Sequence, residues 1–298
     1  MKRILKLSAL GLVLFSLQSC EEKGVNFNGP DVVRDQFDTT YTAAVEAAQG
    51  RNVLIEEFTG ASCTNCPDGH ATVASIESSN PDRVVAIAYH TYQGSGKGGI
   101  FAPVHKPEAS SKYDFRDSAA TQIAVGIYGG FTSIPLAGID RTPVGGTLLI
   151  GRAQWPAEVT NRLSISPAAN ISLNSSYSAT DNKVTLKVKI NYTKAVAGKN
   201  VLTLGVLESG IVDAQEYPDH VDPNYVHNHI FRKCLSLFNG NPVLDNLTTK
   251  EAGRVYEYTL RFTPEDNWNL DNCNIVAFLS KNEGSDKEVI QAAEVHLK

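Results

Sequence analysis

The 298-residue chain reads as an α/β segment followed by an all-β sandwich, placed behind an N-terminus built for export. Three observations predict this. Between Arg51 and Leu163, β-branched apolar runs alternate with helical patterns, the signature of layered α/β structure. After Pro167 the apolar residues recur every second position, the period of half-buried antiparallel strands. At the start, a positive tip and a short apolar run lead directly to Cys20.

Met1-Lys2-Arg3 and Lys6 supply the positive tip, and Leu7 to Leu17 supply the apolar run. That run is too short to span a bilayer and fits a signal h-region. Leu17-Gln18-Ser19-Cys20 resembles the lipobox of bacterial lipoproteins. The resemblance implies that residues 1–19 are a removed signal peptide and that Cys20 is acylated. Acyl chains anchor at about 0.8 kcal/mol per buried CH₂, so the lipid bilayer becomes a lasting partner. A plain secretory signal with an incidental cysteine is the alternative. Residues 20–50 then form the lipidated cysteine and a polar tether, in which Asp31 to Ala48 has room for a short helix or strand. Glu21-Glu22-Lys23 resembles the surface-export signal of Bacteroidetes lipoproteins. The expected location is the cell envelope, as an outer membrane lipoprotein on either leaflet.

Within the first domain, expected over 51–165, Asn52 to Phe58 is a buried strand and Thr59 to Thr64 a turn. A helix begins near Asn65 and is broken at Asn80-Pro81. Arg83 to His90 is a near-continuous β-branched run, typical of a strand covered on both faces. The Gly-, Pro- and Ser-rich connection Thr91–Phe115 is either a lid beside the site or a solvated loop. Asp117 is placed to cap a helix reaching about Ile127. Ser133 to Asp140 follows as a strand opened by proline, and Ala153 to Leu163 as a closing helix. In the second domain, expected over 166–298, about seven alternating segments predict the sandwich. Thr180-Asp181-Asn182-Lys183 marks a hairpin turn between the first two.

Cys63 and Cys66 carry the clearest chemistry. Two cysteines separated by two residues at a helix start can close a small disulfide. There the helix dipole and free N–H groups favour a thiolate at Cys63. A structural disulfide and half of a zinc site are the competing readings, and zinc lacks a second cysteine pair at suitable spacing. Formal charge is -5, with no basic run beyond the signal, which argues against nucleic acid. No cofactor and no metal are expected, and oligomeric state is unread.

Glu57-Phe-Thr-Gly-Ala-Ser-Cys63-Thr-Asn-Cys66-Pro67 resembles the strand, active-site turn and helix of thioredoxins. The resemblance implies that Glu57 is the buried acid behind the disulfide. The residues alone leave Glu56 and Glu57 equally readable as a polar strand edge. Ile134-Pro135 resembles the cis-proline facing the disulfide, which shapes a substrate groove. Two departures stand out: Ser62 replaces the tryptophan before the first cysteine, and Thr64-Asn65 replaces Gly-Pro. Over nearly its whole length the chain is similar to the twenty-eight-kilodalton outer-membrane protein family of Bacteroidetes-type bacteria. EEFTGASCTNCPDGH, SIPLAGIDR and YVHNHIFRK carry that likeness. The family implies a thioredoxin-like domain joined to an immunoglobulin-like β-sandwich and leaves the activity open.

Cys234 and Cys273 are read either as an intradomain disulfide or as two buried thiols. His220, His227 and His229 invite a metal reading, because His-x-His on a strand puts both rings on one face. Polar loop residues explain them equally. Two functions result. One is thiol–disulfide exchange on exported proteins or a dedicated redox partner, with Cys63 attacking, Cys66 resolving, Pro135 shaping the groove and Glu57 moving the proton. The other is a surface binding or adhesion lipoprotein that uses the fold as a scaffold.

Overall fold

The computed structural model describes residues 37–92 and 111–298. Cys20, the signal segment and most of the 91–115 connection lie outside the described residues. The described residues belong to one compact unit. Among the described residues no helix is long and apolar enough to cross a membrane.

The first strand, β1 (Phe37–Thr42), falls inside the expected tether, and it pairs antiparallel with a strand near the far end of the chain. The α/β part follows as β2 (Val53–Thr59), α1 (Cys66–Ser79), β3 (Val84–His90), α2 (Ser118–Gly126), β4 (Leu136–Ile139), β5 (Ile150–Gly151) and α3 (Trp155–Leu163). β2 lies between β3, which is parallel to it, and β4, which is antiparallel; β5 continues antiparallel beyond β4. This is the arrangement of a thioredoxin-like core. Local chemistry sets the helix ends. The Asp117 carboxylate accepts from Ala120 N at 2.9 Å, and α1 stops where Asn80-Pro81 interrupts it.

The remainder comprises β6 (Ala169–Ser178), β7 (Lys183–Tyr192), β8 (Val196–Ala197), β9 (Asn200–Glu208), β10 (Ile211–Glu216) and β11 (Val221–His227). After these come β12 (Ile230–Cys234), β13 (Asn241–Val243), β14 (Thr249–Lys250), β15 (Arg254–Phe262), β16 (Cys273–Lys281) and β17 (Val289–His296). The turn expected at 180–183 joins β6 to β7, with Ser178 opposite Lys183. One layer is a four-stranded sheet in the order β1-β15-β7-β6. Its inner residues, among them Leu186, Val188 and Leu260, share a core with Leu204, Ile275 and Ala277 of β9 and β16.

That second layer does not end at the sandwich. The strands run β17-β16-β9-β12-β3-β2-β4-β5 as one sheet, crossing between the expected halves where Ile230 of β12 pairs parallel with Ala88 of β3. The sheet curls until β17 meets β2 again and reaches Asp140 just past β4. Val289 N donates to Asp140 O, and Arg51 donates to Val289 O and Ile290 O. Asp140, fully buried, is bracketed there by Arg51 at 3.3 Å and Arg162 at 2.9 Å.

Period two sorts the β2 side chains. Val53 and Ile55 pack with Val73, Ile76, Trp155 and Val159 of α1 and α3. Leu54 and Phe58 face α2 and the second half, including Phe231 and Phe278. Glu56 falls on the second face and Glu57 on the first. Glu56 receives two hydrogen bonds from the buried Arg141 guanidinium, at 2.7 and 2.8 Å, and further ones from the Tyr128 and Tyr89 hydroxyls. Arg141 in turn lies over the Phe278 ring, 4.8 Å from its centroid. Gly138 makes this possible, since a Cβ there would strike the Tyr128 hydroxyl.

Candidate functional site

The turn between β2 and α1 carries the cysteines. Cys63 and Cys66 are joined in a disulfide with Cα atoms 5.3 Å apart. Cys66 is the first residue of α1 and is fully buried, whereas Cys63 precedes the helix and is half-buried. Cys63 Sγ lies 3.8 Å from Ile134 O, and the Ile134-Pro135 peptide is cis. The disulfide therefore sits at the positive end of α1, where a thiolate is favoured.

Glu57 and Pro135 both converge on the first turn of that helix. A Cβ added at Gly69, three residues after Cys66, would stand 2.5 Å from Glu57 Oε1 and 3.0 Å from Pro135 Cβ. Glycine at 69 thus lets α1 settle onto both. Glu57 is 4% exposed and its Oε1 has no hydrogen-bond partner. Burial without a counter-charge pushes its carboxyl up to about 8. Glu56, the other acid the sequence left open, is on the opposite face in its pair with Arg141.

Several residues that the sequence did not single out complete the site. The β10–β11 hairpin folds over the cysteine turn. Gln215, fully buried, donates through Nε2 to Cys63 O at 3.1 Å and Gly60 O at 3.3 Å, and Glu216 N donates to Ala61 O at 2.8 Å. From β11, the Tyr225 hydroxyl meets His70 Nδ1 at 2.7 Å, while Thr59 Oγ1 meets His70 Nε2 at 2.8 Å. Burial, helped by the charges of His227 and His229, pulls the His70 pKa down to about 3, so its ring is neutral. The contacts from the hairpin span more than 150 residues of chain and leave no local signature; Gly69 in CPDGH was the one nearby cue.

The other motifs separate. Cys234 and Cys273 are free, on strands that flank β9 from opposite sides at Gly205 and Glu208. His227 is buried on β11, but His229 has φ +56 in the turn before β12 and pairs with Glu77 of α1 at 3.2 Å. That left-handed residue breaks the strand alternation which would have put both rings on one face. His220 pairs with Asp219. Among the described residues no group of three or more His, Cys, Asp or Glu side chains is arranged to hold a metal.

A family described as outer membrane protein Omp28 matches residues 124–298, a span that begins beyond both disulfide cysteines. Among solved structures, HBP35 of Porphyromonas gingivalis is similar with a TM-score of 0.64 and 16% identity, over 85% of this chain and 77% of that one. A protein of Agrobacterium tumefaciens aligns over 85% of this chain and 97% of its own at 11% identity, with a TM-score of 0.49. At such identities the HBP35 likeness speaks to the fold alone. No curated protein matches.

Proposed function

The chain belongs to the outer membrane protein Omp28 family, and from that premise we propose that it is an envelope lipoprotein, held through acylated Cys20, that performs thiol–disulfide exchange at Cys63 and Cys66. Membership in the family assigns the chain to the cell envelope. The observation that carries the activity is the asymmetry of the pair. Cys63 is half-buried beside Ile134 O, and Cys66 is buried at the start of α1, whose first turn rests on a carboxyl that lacks a counter-charge. A nucleophile needs the first environment and a resolving thiol the second.

In the reducing direction the Cys63 thiolate attacks one sulfur of a substrate disulfide. A mixed disulfide forms and one substrate thiolate leaves. The ionised form of Glu57, the minor form at neutral pH, takes the Cys66 proton, and the Cys66 thiolate attacks Cys63 Sγ. The mixed disulfide breaks, the second substrate thiolate leaves and the Cys63–Cys66 bond forms. The substrate gains two electrons and the protein loses two. Pro135 forms the wall of the groove beside Cys63, and Gln215 fixes the Cys63 carbonyl from the hairpin.

The test is reduction of a protein disulfide by the purified protein with a dithiol regenerant, beside a Cys63→Ser variant. Turnover that disappears in the variant, with a couple between about -120 and -270 mV, supports exchange. Turnover equal in both, or a disulfide reducible only below about -300 mV, refutes it and makes the pair a structural staple.

A further inference from the structure

Along the face of α1 that rests on Glu57 runs a cavity of about 80 Å³ whose walls include Glu57, His70, Val73, Glu77, Tyr225 and His229. Positions 70, 73 and 77 share one face of α1, so the cavity follows about two helical turns, roughly 10 Å at 1.5 Å per residue. Glu57, with the unpartnered Oε1, lines it near the start of the helix. Its outer end reaches the Glu77–His229 pair, whose side chains are 31% and 27% exposed. A water needs roughly 10–15 Å³ of such space and two or more polar partners, so the cavity can hold a short water file.

We infer that this cavity is the proton exit of the dithiol, with the Glu77–His229 pair as its gate to solvent. The inference rests on the exchange reading above and adds to it where the proton goes. Once Glu57 has taken the Cys66 proton, the carboxyl must release it before the next cycle. On its α1 side Glu57 meets His70, and on the β11 side Tyr225. His70 cannot carry the proton, because both ring nitrogens are engaged, by Thr59 Oγ1 and the Tyr225 hydroxyl, and the ring is held neutral. It orients water instead. The first group along the cavity that can take the proton and stand in contact with solvent is His229. Around it stand Glu77 from α1, Glu294 from β17 and, at longer range, His70. Burial pulls the His229 pKa down, but the hydrogen bond and charge of Glu77, with the charge of Glu294, hold it above the usual value. From His229 the proton passes to solvent, where it meets the departing substrate thiolate. The gate thus comes from the second half of the chain and serves chemistry in the first. Glu77 and His229 are positioning residues, since neither touches a sulfur.

The experiment follows the reaction of the reduced full chain with glutathione disulfide by stopped flow across pH 5–9, for the wild type, Glu77→Gln and His229→Ala. Both substitutions fall on a half-exposed pair, and Glu77→Gln conserves shape. The expected result is slower resolution of the mixed disulfide by about tenfold, less than the 10²-fold or more that direct acid–base catalysis contributes. Alkylation of Cys63 by iodoacetamide stays unchanged, and added imidazole restores His229→Ala. Variants that keep the wild-type rate and pH profile, while the wild type turns over, overturn the gate and leave exchange intact. A wild type that does not react with glutathione disulfide overturns both.

Discussion

Glu57→Gln tests what the buried acid costs the fold. The native carboxyl has its pKa raised from 4.5 to about 8 by burial, so near neutrality it is protonated when folded and ionised when unfolded. Unfolding therefore releases a proton, and stability falls as pH rises. The contribution is complete below about pH 4.5, declines through neutrality and levels off above about pH 8. Each pH unit in that window removes about 1.4 kcal/mol, which gives a penalty of about 3 kcal/mol at pH 7 and about 5 at pH 9. Glutamine keeps the shape without the ionisation, so the oxidised variant is expected to be more stable by about those amounts, and equal to wild type at pH 4. Urea unfolding of both proteins at pH 4, 7 and 9 measures the difference. At an m-value of roughly 2–3 kcal/mol/M, the pH 7 midpoints should lie about 1 M apart. A difference that does not change with pH refutes the buried-acid reading, as does a glutamine variant less stable than wild type at pH 7. The same substitution should slow resolution by Cys66, so stability and turnover are expected to move in opposite directions.

Two further outcomes follow from other buried groups. His227 is 1% exposed, with Nδ1 unpartnered, and burial holds its pKa down at about 4. The unfolded chain takes up its proton below pH 6.5 while the folded one does not, so stability drops by about 1.4 kcal/mol per unit between pH 6.5 and 4. His227→Asn should flatten the acid limb of an unfolding-midpoint curve, and an unchanged slope contradicts the assignment. Arg141→Leu strands the Glu56 carboxylate in the core and should cost about 3–5 kcal/mol in chemical denaturation. The Glu56→Leu/Arg141→Leu double variant should recover part of that loss; a double variant worse than the single one rules out an uncompensated charge as the cause.

What the sequence conveyed was local. Cys63-x-x-Cys66 after a strand, the cap at Asp117 and the proline break at Asn80-Pro81 depend on neighbours a few residues apart, and each lies where spacing put it. The choice between Glu56 and Glu57 was harder. Period two puts them on opposite faces of β2, but the face covered by α1 depends on how the layers stack. Arg141 lies just past β4 with no local cue to its role, and only the folded core shows that Phe278 and Glu56 surround it. Gln215 and Tyr225 reach the site on the separate β10–β11 hairpin, and His229 reaches it from the turn before β12, the strand that pairs with β3. One sheet takes strands from both expected halves, which the sequence did not convey, because alternation reveals that a segment is a strand and says nothing about its neighbour.

The Ile230–Ala88 pairing also fixes a timetable. A ribosome delivers β3 long before β12, so the upper edge of β3 waits unpaired while most of the chain is still being made. Strand edges left open in this way invite wrong partners, and pairings of high sequence separation form slowly. The two cysteines, only three positions apart, need no such wait. If the chain enters an oxidising compartment N-terminus first, their ring can close there before Gln215, Tyr225 or His229 has crossed. The disulfide is then older than the surroundings that govern its reactivity, and the last third of the chain to arrive decides when the pair becomes a working site.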